Sequence, residues 1–182
     1  MTATRKAGTK AATKPGASAA RANPLLAKTW NTPFGLPPFD SITPDHFAPA
    51  FTAAMAEHRA EVAKIAANPA RPSFANTIVA LEKSGRLLDR VSAVFFNLAS
   101  AHTNDALQAV QRDVAPKLAA HHTAIMLDPA LFKRIDDLHG RRDKLKLDDE
   151  QRRMLELQHL WLVRAGAKLS AKARKRVAQI NE

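Results

Sequence analysis

The chain has 182 residues, no cysteine and a formal net charge of +11. The absence of cysteine excludes a disulfide framework, a thiolate metal site and a cysteine nucleophile. Apolar residues make up 46% of the chain but aromatic residues only 5%, a mixture that favours closely packed helices over sheets. We therefore expect one all-α domain with a substantial core.

The positive charge is concentrated at the two ends of the chain. Residues 1–22 carry five basic residues and no acid, and residues 168–182 carry five basic residues and one acid. The ends thus contribute +5 and +4, which leaves +2 for everything between them. A nearly neutral central region argues against a basic nucleic-acid-binding face.

Residues 1–22 are small, polar or basic, and none is large enough to anchor a core. We expect a disordered basic tail that acts as a solubilising leader, with a weak nucleic-acid arm or an organelle transit segment as alternatives. The chain has neither the run of about 20 apolar residues that crosses a membrane nor the apolar core of a secretory signal. Together with the lack of cysteine, this predicts a cytoplasmic protein.

Residues 23–43 are predicted to form an extended, proline-rich arm. Pro33, Pro37 and Pro38 prevent a regular helix or a central strand here. We expect the arm to lie across the helices, anchored by its apolar side chains: Leu25, Trp30, Phe34, Leu36 and Phe39.

Residues 44–182 are predicted to form a helical domain of about six helices. Each helix opens at a capping residue, and apolar residues then recur at spacings of three or four. A stripe from Phe74 to Leu98 predicts a second helix of up to ~28 residues, although Gly85 interrupts it. Pro116 predicts a kink in the third helix. The expected starts are Thr43-Pro44-Asp45, Ser73, Asn104, Asp128, Asp148 and Ser170.

The seven histidines do not form a recognisable metal motif. Zinc peptidases place two histidines at i and i+4 of a helix with a glutamate between them, and no His-Glu-x-x-His occurs in the chain. His121 and His122 are adjacent, so on a helix their rings point about 100° apart and rarely share an ion. We expect a partly buried or surface pair. The histidines are His46, His58, His102, His121, His122, His139 and His159.

Other polar clusters have ordinary structural interpretations. Glu57-His58 and Glu156 near His159 are expected to be side-chain pairs on amphipathic helices. The arginine pairs at 141–142 and 152–153 alternate with acids and indicate a solvated, ion-paired surface. Phe95-Phe96-Asn97 and His102-Thr103-Asn104 could face a cavity, although core packing and a helix cap explain them equally well. We predict no catalytic, cofactor-binding or metal-ligating residue in this chain.

Four segments together resemble a known family. They are NPLLAKTWNTPFGLPPFDSITPDHFAPAF (residues 23–51), RPSFANTIVALEKSGRLLDRVSAVFFNLASAHTND (71–105), APKLAAHHTAIMLDPALFKRI (115–135) and VRAGAKLSAKARKRVAQINE (163–182). They resemble the N-terminal region of zinc metallopeptidases of the thimet oligopeptidase type, closest to the bacterial peptidyl-dipeptidases. In that family two mostly helical halves enclose a deep channel, and a far-downstream HExxH holds the zinc.

The resemblance implies one wall of a channel that admits short peptides, without the zinc or the catalytic half. The sixth helix has no stop signal before Asn181-Glu182, so we expect a domain truncated within that helix. Whether this chain belongs to an enzyme stays open, but alone it is predicted to be inactive. One alternative is a truncated, non-catalytic helical module that binds peptide or protein. A weaker one is a nucleic-acid binder acting through its basic ends.

Overall fold

The computed structural model describes residues 23–181, and within them all regular structure is helical, as the sequence predicts. The predicted disordered tail, residues 1–22, lies outside the described residues. Six α-helices have eleven or more residues: α1 Phe47–Ala66, α2 Arg86–Ala101, α3 Asp105–Met126, α4 Pro129–Gly140, α5 Asp149–Ala165 and α6 Ala171–Asn181. No helix of the described part is long and apolar enough to span a membrane.

Side-chain caps begin most of these helices at the predicted residues. Asn104 accepts a hydrogen bond from the Leu107 amide at 2.9 Å, and Asp148 accepts one from Gln151 at 2.8 Å. Asp128 accepts from two amides at the start of α4. Each such cap stabilises its helix by about 1 kcal/mol, because it satisfies N–H groups that have no partner within the helix. α3 continues through Pro116 as one helix.

The predicted second helix is divided in two, so its expected length of ~28 residues was wrong. Ser73 does cap its start, but Phe74–Val79 forms a π-helical segment that continues into Ala80–Glu82. The chain then turns at Gly85, whose φ of +77° belongs to the left-handed region that glycine adopts readily. The Gly85 amide donates to Glu61 Oε2 at 2.7 Å, which fixes the turn against α1.

The proline-rich arm is anchored at its beginning rather than along its length. Leu25 is fully buried, and the Trp30 indole donates to the Pro24 carbonyl at 2.9 Å. Arg90 of α2 donates to the carbonyls of Ala27 and Lys28 at 2.6 and 3.0 Å, and its guanidinium lies 4.9 Å from the centre of the Trp30 ring. This clamp holds the start of the arm on α2.

The other three expected anchors of the arm do not reach the core. Phe34 is 99% exposed, and Leu36 and Phe39 are about half exposed. The cause is a tight turn over Pro33–Gly35 in which Phe34 has a φ of 60°. That conformation directs the ring into solvent, so the expectation that these side chains anchor the arm was wrong.

Two apolar clusters form the core, and α1 contributes to both. In the first cluster, Phe95 makes edge-to-face contacts with Phe47 and Phe51 at centroid distances of 5.0 and 5.4 Å. The second packs the end of α1 against α4 and α5. Its principal buried side chains are Val62, Ile65, Ile78, Leu131, Ile135, Leu138, Leu155 and Leu162.

A buried arginine ties the segment after α1 to the second cluster. Arg134 of α4 is only 7% exposed. Its guanidinium donates to the Asn68 and Ala70 carbonyls at 2.5 and 3.2 Å, and to the side chains of Asn76 and Thr77 at 2.9 and 3.3 Å. All four acceptors are neutral, so hydrogen bonds alone offset the desolvation of this charge.

Candidate functional site

A groove of about 800 Å³ opens between α3 and α5, and we call it the α3–α5 groove. The helices supply its walls, while the turn before α2 and the middle of α1 supply its floor. Most of the lining surface is apolar, and polar groups are directed into the same space. The lining residues used below are His58, Leu81, Glu82, Ser84, Asp89, Ser92, Leu118, His121, His122, Ile125, Met126, Gln158, Trp161 and Arg164.

A chain of hydrogen bonds runs along the floor of the groove. The Ser84 hydroxyl donates to the Leu81 carbonyl at 2.6 Å, so its oxygen is left to accept from His58 Nε2 at 3.2 Å. His58 Nδ1 therefore carries a lone pair, and it accepts from His121 Nε2 at 3.0 Å. With His58 in this neutral tautomer, the proton of the shared hydrogen bond lies on His121 Nε2.

The surroundings keep both rings neutral. Burial lowers the pKa of His121 to about 4, and the basic side chains of His58, Arg59 and His122 nearby act in the same direction. Burial also lowers the pKa of His58, although Glu61 and Asp89 oppose this. A proton added to His121 would sit on Nδ1, a buried atom with no hydrogen-bond partner among the described residues. Protonation of the pair is therefore costly.

The same geometry makes the pair a poor metal site. A metal ion on His121 Nε2 would move that ring's proton to Nδ1, where no acceptor lies. No three His, Cys, Asp or Glu residues within 23–181 are arranged to hold an ion. Zinc therefore does not fit this pair, whose remaining lone pair, on His121 Nδ1, is buried and out of reach of a substrate.

The structure changes two of the predicted histidine pairings. His58 contacts His121, 63 residues further along the chain, rather than Glu57. His159 Nε2 donates to Asp136 Oδ1 at 2.8 Å, and the His159 ring stacks on His139 with centroids 3.9 Å apart. Sequence periodicity places these histidines on helices but does not reveal which helices meet.

The expected surface ion pairs are present. Arg141 pairs with Asp137 and Arg152 with Asp143, each at 2.6 Å. Because the Arg152 guanidinium hydrogen-bonds to it, the pKa of the exposed Asp143 carboxyl is lowered. These contacts confirm a solvated, ion-paired surface.

The polar–aromatic cluster of α2 and α3 lies outside the groove. Phe95 is fully buried in the first core cluster, Phe96 is 43% exposed, and Asn104 caps α3. Core packing and capping thus account for Phe95 and Asn104, while His102 and Asn104 also line a separate cavity of about 200 Å³. That no residue of the chain is catalytic remains a prediction.

The pH dependence of stability is a direct test of the histidine pair. Unfolded histidine has a pKa near 6.5 and folded His121 one near 4, so between these values the unfolded state binds more protons. Stability should be fully present above pH 6.5 and fall as the pH drops towards 4, by at most roughly 3 kcal/mol. Urea unfolding between pH 7 and 5 measures this slope.

His121→Phe should reduce the slope, because the ring with the most strongly lowered pKa is gone, while His58 and His139, whose pKa values are also lowered, keep part of it. His122→Gln, one position further along α3, should retain it. Identical slopes for the original chain and His121→Phe would contradict the assignment of the proton linkage to this pair.

No protein-family model matches the chain, but curated proteins do. Dipeptidyl carboxypeptidase of Escherichia coli is 43% identical over 159 residues, which are 87% of this chain and 23% of that protein. The Salmonella typhimurium protein of the same name is 42% identical over the same shares of each chain. Oligopeptidase A of Salmonella typhimurium is 29% identical over 134 residues, 74% of this chain and 19% of that protein.

The chain is a homologue of these peptidases. The resemblance to the thimet oligopeptidase family is thus confirmed, and an origin in this peptidase family accounts for most of the sequence. The chain spans less than a quarter of the length of the curated relatives it matches.

Proposed function

We propose that the chain is the N-terminal helical part of a zinc-dependent peptidyl-dipeptidase or oligopeptidase, which hydrolyses short peptides. In this role it forms one wall of the substrate channel and supplies no catalytic group. The observation that carries the proposal is 43% identity to a dipeptidyl carboxypeptidase over 87% of the chain. The chain has no His-Glu-x-x-His with which to do the chemistry.

The chemistry of zinc peptidases supports the proposal that this chain supplies no catalytic group. A catalytic zinc uses three protein ligands and one water, which attacks the scissile carbonyl. The described residues offer no group of three such ligands, and the lone pair of His58 Nδ1 is already engaged by His121. The zinc, its activated water and the general base would therefore come from polypeptide outside this chain.

As one wall of the channel, the chain would help to enclose the substrate. Capped helices around two buried clusters make a firm scaffold, and a firm wall limits a channel to short, unfolded peptides. Enclosure also keeps bulk water from the reacting groups. The substrate class, short peptides, follows from the peptidase names of the relatives.

A second candidate is a non-catalytic helical module that binds peptide or protein. The open, mostly apolar α3–α5 groove favours it, because exposed apolar surface of this kind commonly marks a binding site. In this case the chain would bind a short peptide by itself.

A peptidase assay on the purified 182-residue chain tests the first proposal. A blocked tetrapeptide is incubated with the chain and added zinc, and released dipeptide is measured by mass spectrometry. We expect none, whereas the E. coli dipeptidyl carboxypeptidase should release it under the same conditions. Turnover that a chelator abolishes and zinc restores would show that the chain does contain the catalytic site.

Calorimetric titration of the same tetrapeptide into the chain separates the two candidates. The wall proposal predicts no saturable binding, because the other side of the channel is absent. Saturable binding without turnover would favour the independent binding module.

A further inference from the structure

The α3–α5 groove is longer than its main cavity. Two further cavities of about 360 and 270 Å³ adjoin it along α5. Glu82 lines all three cavities, and Gln158 and Trp161 line two of them. The three cavities therefore form one continuous surface along the helix.

One complete face of α5 lines this surface. Its lining residues recur at helical spacing over four turns, and a span of fourteen residues corresponds to about 21 Å. The other face of α5 buries Leu155 and Leu162 in the second core cluster. The groove-facing residues of α5 are Glu150, Gln151, Arg153, Met154, Leu157, Gln158, Trp161 and Arg164.

The opposite wall has the same character. α3 contributes Leu118 and Ile125, which are two helical turns apart on one side of that helix, and Met126 next to them. A trough walled by two helices is the shape into which the side chains of another helix pack. A third helix laid into it would complete a helical layer.

The exposure of Trp161 shows that this apolar surface is left partly uncovered by the described residues. The indole is 47% exposed and neighbouring Leu160 is 37% exposed. Residues 1–22 cannot supply the covering element, because they contain no Leu, Ile, Val, Phe or Trp. In the dipeptidyl carboxypeptidases, however, more than three quarters of the polypeptide lies outside the matched stretch.

We propose that the α3–α5 groove is the docking site of an amphipathic α-helix from that unmatched part of the peptidase polypeptide. The proposal rests on the function proposed above. The helix spans about four turns and places apolar side chains at i, i+3 or i+4, i+7 and i+11 against Met154, Leu157 and Trp161.

The charges at the rim define the helix further. Glu82 and Glu150 line the same two cavities at the end of the groove near the π-helical segment. Arg164 lies towards the other end of the α5 face. Lys83 and Arg153 line these cavities together with Glu82 and Glu150, and Asp89 lines the cavity of Arg164. Both ends of the groove therefore already hold charges of both signs, which favours a docked helix whose groove-facing side is uncharged.

The test is a chimera in which residues 23–181 replace the matching stretch of E. coli dipeptidyl carboxypeptidase. Ser92→Cys and Gln158→Cys place single reporters in the groove, and Gln111→Cys places a control on an exposed part of α3 outside it. Reaction with a maleimide is followed at each site by peptide mass spectrometry. The isolated chain, which has no cysteine of its own, is measured in parallel.

We expect the groove cysteines to react roughly tenfold or more slowly in the chimera than in the isolated chain, because a docked helix must open before the reagent enters. The Gln111→Cys rate should change much less. An active chimera whose groove cysteines still react quickly would overturn the docking proposal alone. A folded but inactive chimera would overturn the proposed function.

Two other occupants would show different patterns. Protection in the isolated chain that grows with its concentration would identify a second copy in the groove. Protection of the isolated chain by a blocked tetrapeptide would identify a peptide site. Either result overturns the docking of a helix from the peptidase polypeptide.

Discussion

Replacing Arg134 by methionine is expected to destabilise the fold by roughly 2–4 kcal/mol, as for the loss of several hydrogen bonds to one buried charged group. The substitution removes the desolvation cost of the charge, but it leaves Thr77 Oγ1 without its donor, while Asn76 Oδ1 still accepts from the Ser73 amide and the Thr77 hydroxyl. It also releases the carbonyls of Asn68 and Ala70, and with them the segment between α1 and the π-helical segment. Urea unfolding at pH 7 measures the change.

The matched control is Arg152→Met on α5. Arg152 makes an exposed ion pair with Asp143, and such pairs contribute little to stability. Arg134→Lys should recover little, because one ammonium cannot reach the acceptors that the planar guanidinium spans. If Arg134→Met proved as stable as Arg152→Met, the bonding of Arg134 would not be a main support of the second cluster.

Gly85→Ala is the second substitution with a large expected effect, a loss of roughly 1–3 kcal/mol from backbone strain and steric overlap. At φ +77° any side chain is strained, and a Cβ would lie only 3.0 Å from two atoms of the His58 ring. That ring has little freedom to move, because Ser84 and His121 hold it on both sides.

Gly140→Ala provides the comparison for this substitution. A Cβ at Gly140 meets no heavy atom within 4 Å and lies in the last turn of α4, so it should be neutral or stabilise by up to about 1 kcal/mol. Combining Gly85→Ala with His58→Ala should remove the overlap and leave only the backbone strain. Equal stability of the two alanine variants would refute a close approach at Gly85. Thermal unfolding followed by circular dichroism decides between these outcomes.

Local sequence signals predicted most of the fold. Capping residues such as Asn104 and Asp148 and the apolar stripes behind them placed the helices, because both act over a few neighbouring positions. The sequence shows Gly85 as an interruption of the apolar stripe but does not show that the helix ends there, since glycine within a helical pattern is often tolerated. Here Glu61, 24 residues earlier, binds the Gly85 amide and decides the outcome.

Sequence patterns did not predict the His58–His121 pair or the α3–α5 groove. His58 and His121 are 63 residues apart, and only the packing of α1 against α3 brings their rings together. The groove similarly exists only because α3 and α5 lie side by side with apolar residues left uncovered between them. Periodicity predicts that a face is apolar, but it does not predict which face finds a partner.

The family relation was predictable because it rests on four long segments rather than a short motif, and the dipeptidyl carboxypeptidases and oligopeptidase A confirm it. The exposed positions of Phe34 and Phe39 were not predictable. An aromatic residue between prolines is normally expected to be buried as an anchor. The left-handed φ of Phe34 turns its ring into solvent, and the sequence does not reveal this φ.

The central claim, that these residues are one wall of a larger zinc peptidase, is tested most directly by the mass of the native protein. An antibody against this chain would capture it from its own cells, and intact-mass spectrometry would weigh it. We predict a mass several times the 19.9 kDa of this chain, since the matched stretch is 23% of the dipeptidyl carboxypeptidases. A native mass near 19.9 kDa would contradict the claim and favour a free-standing binding module.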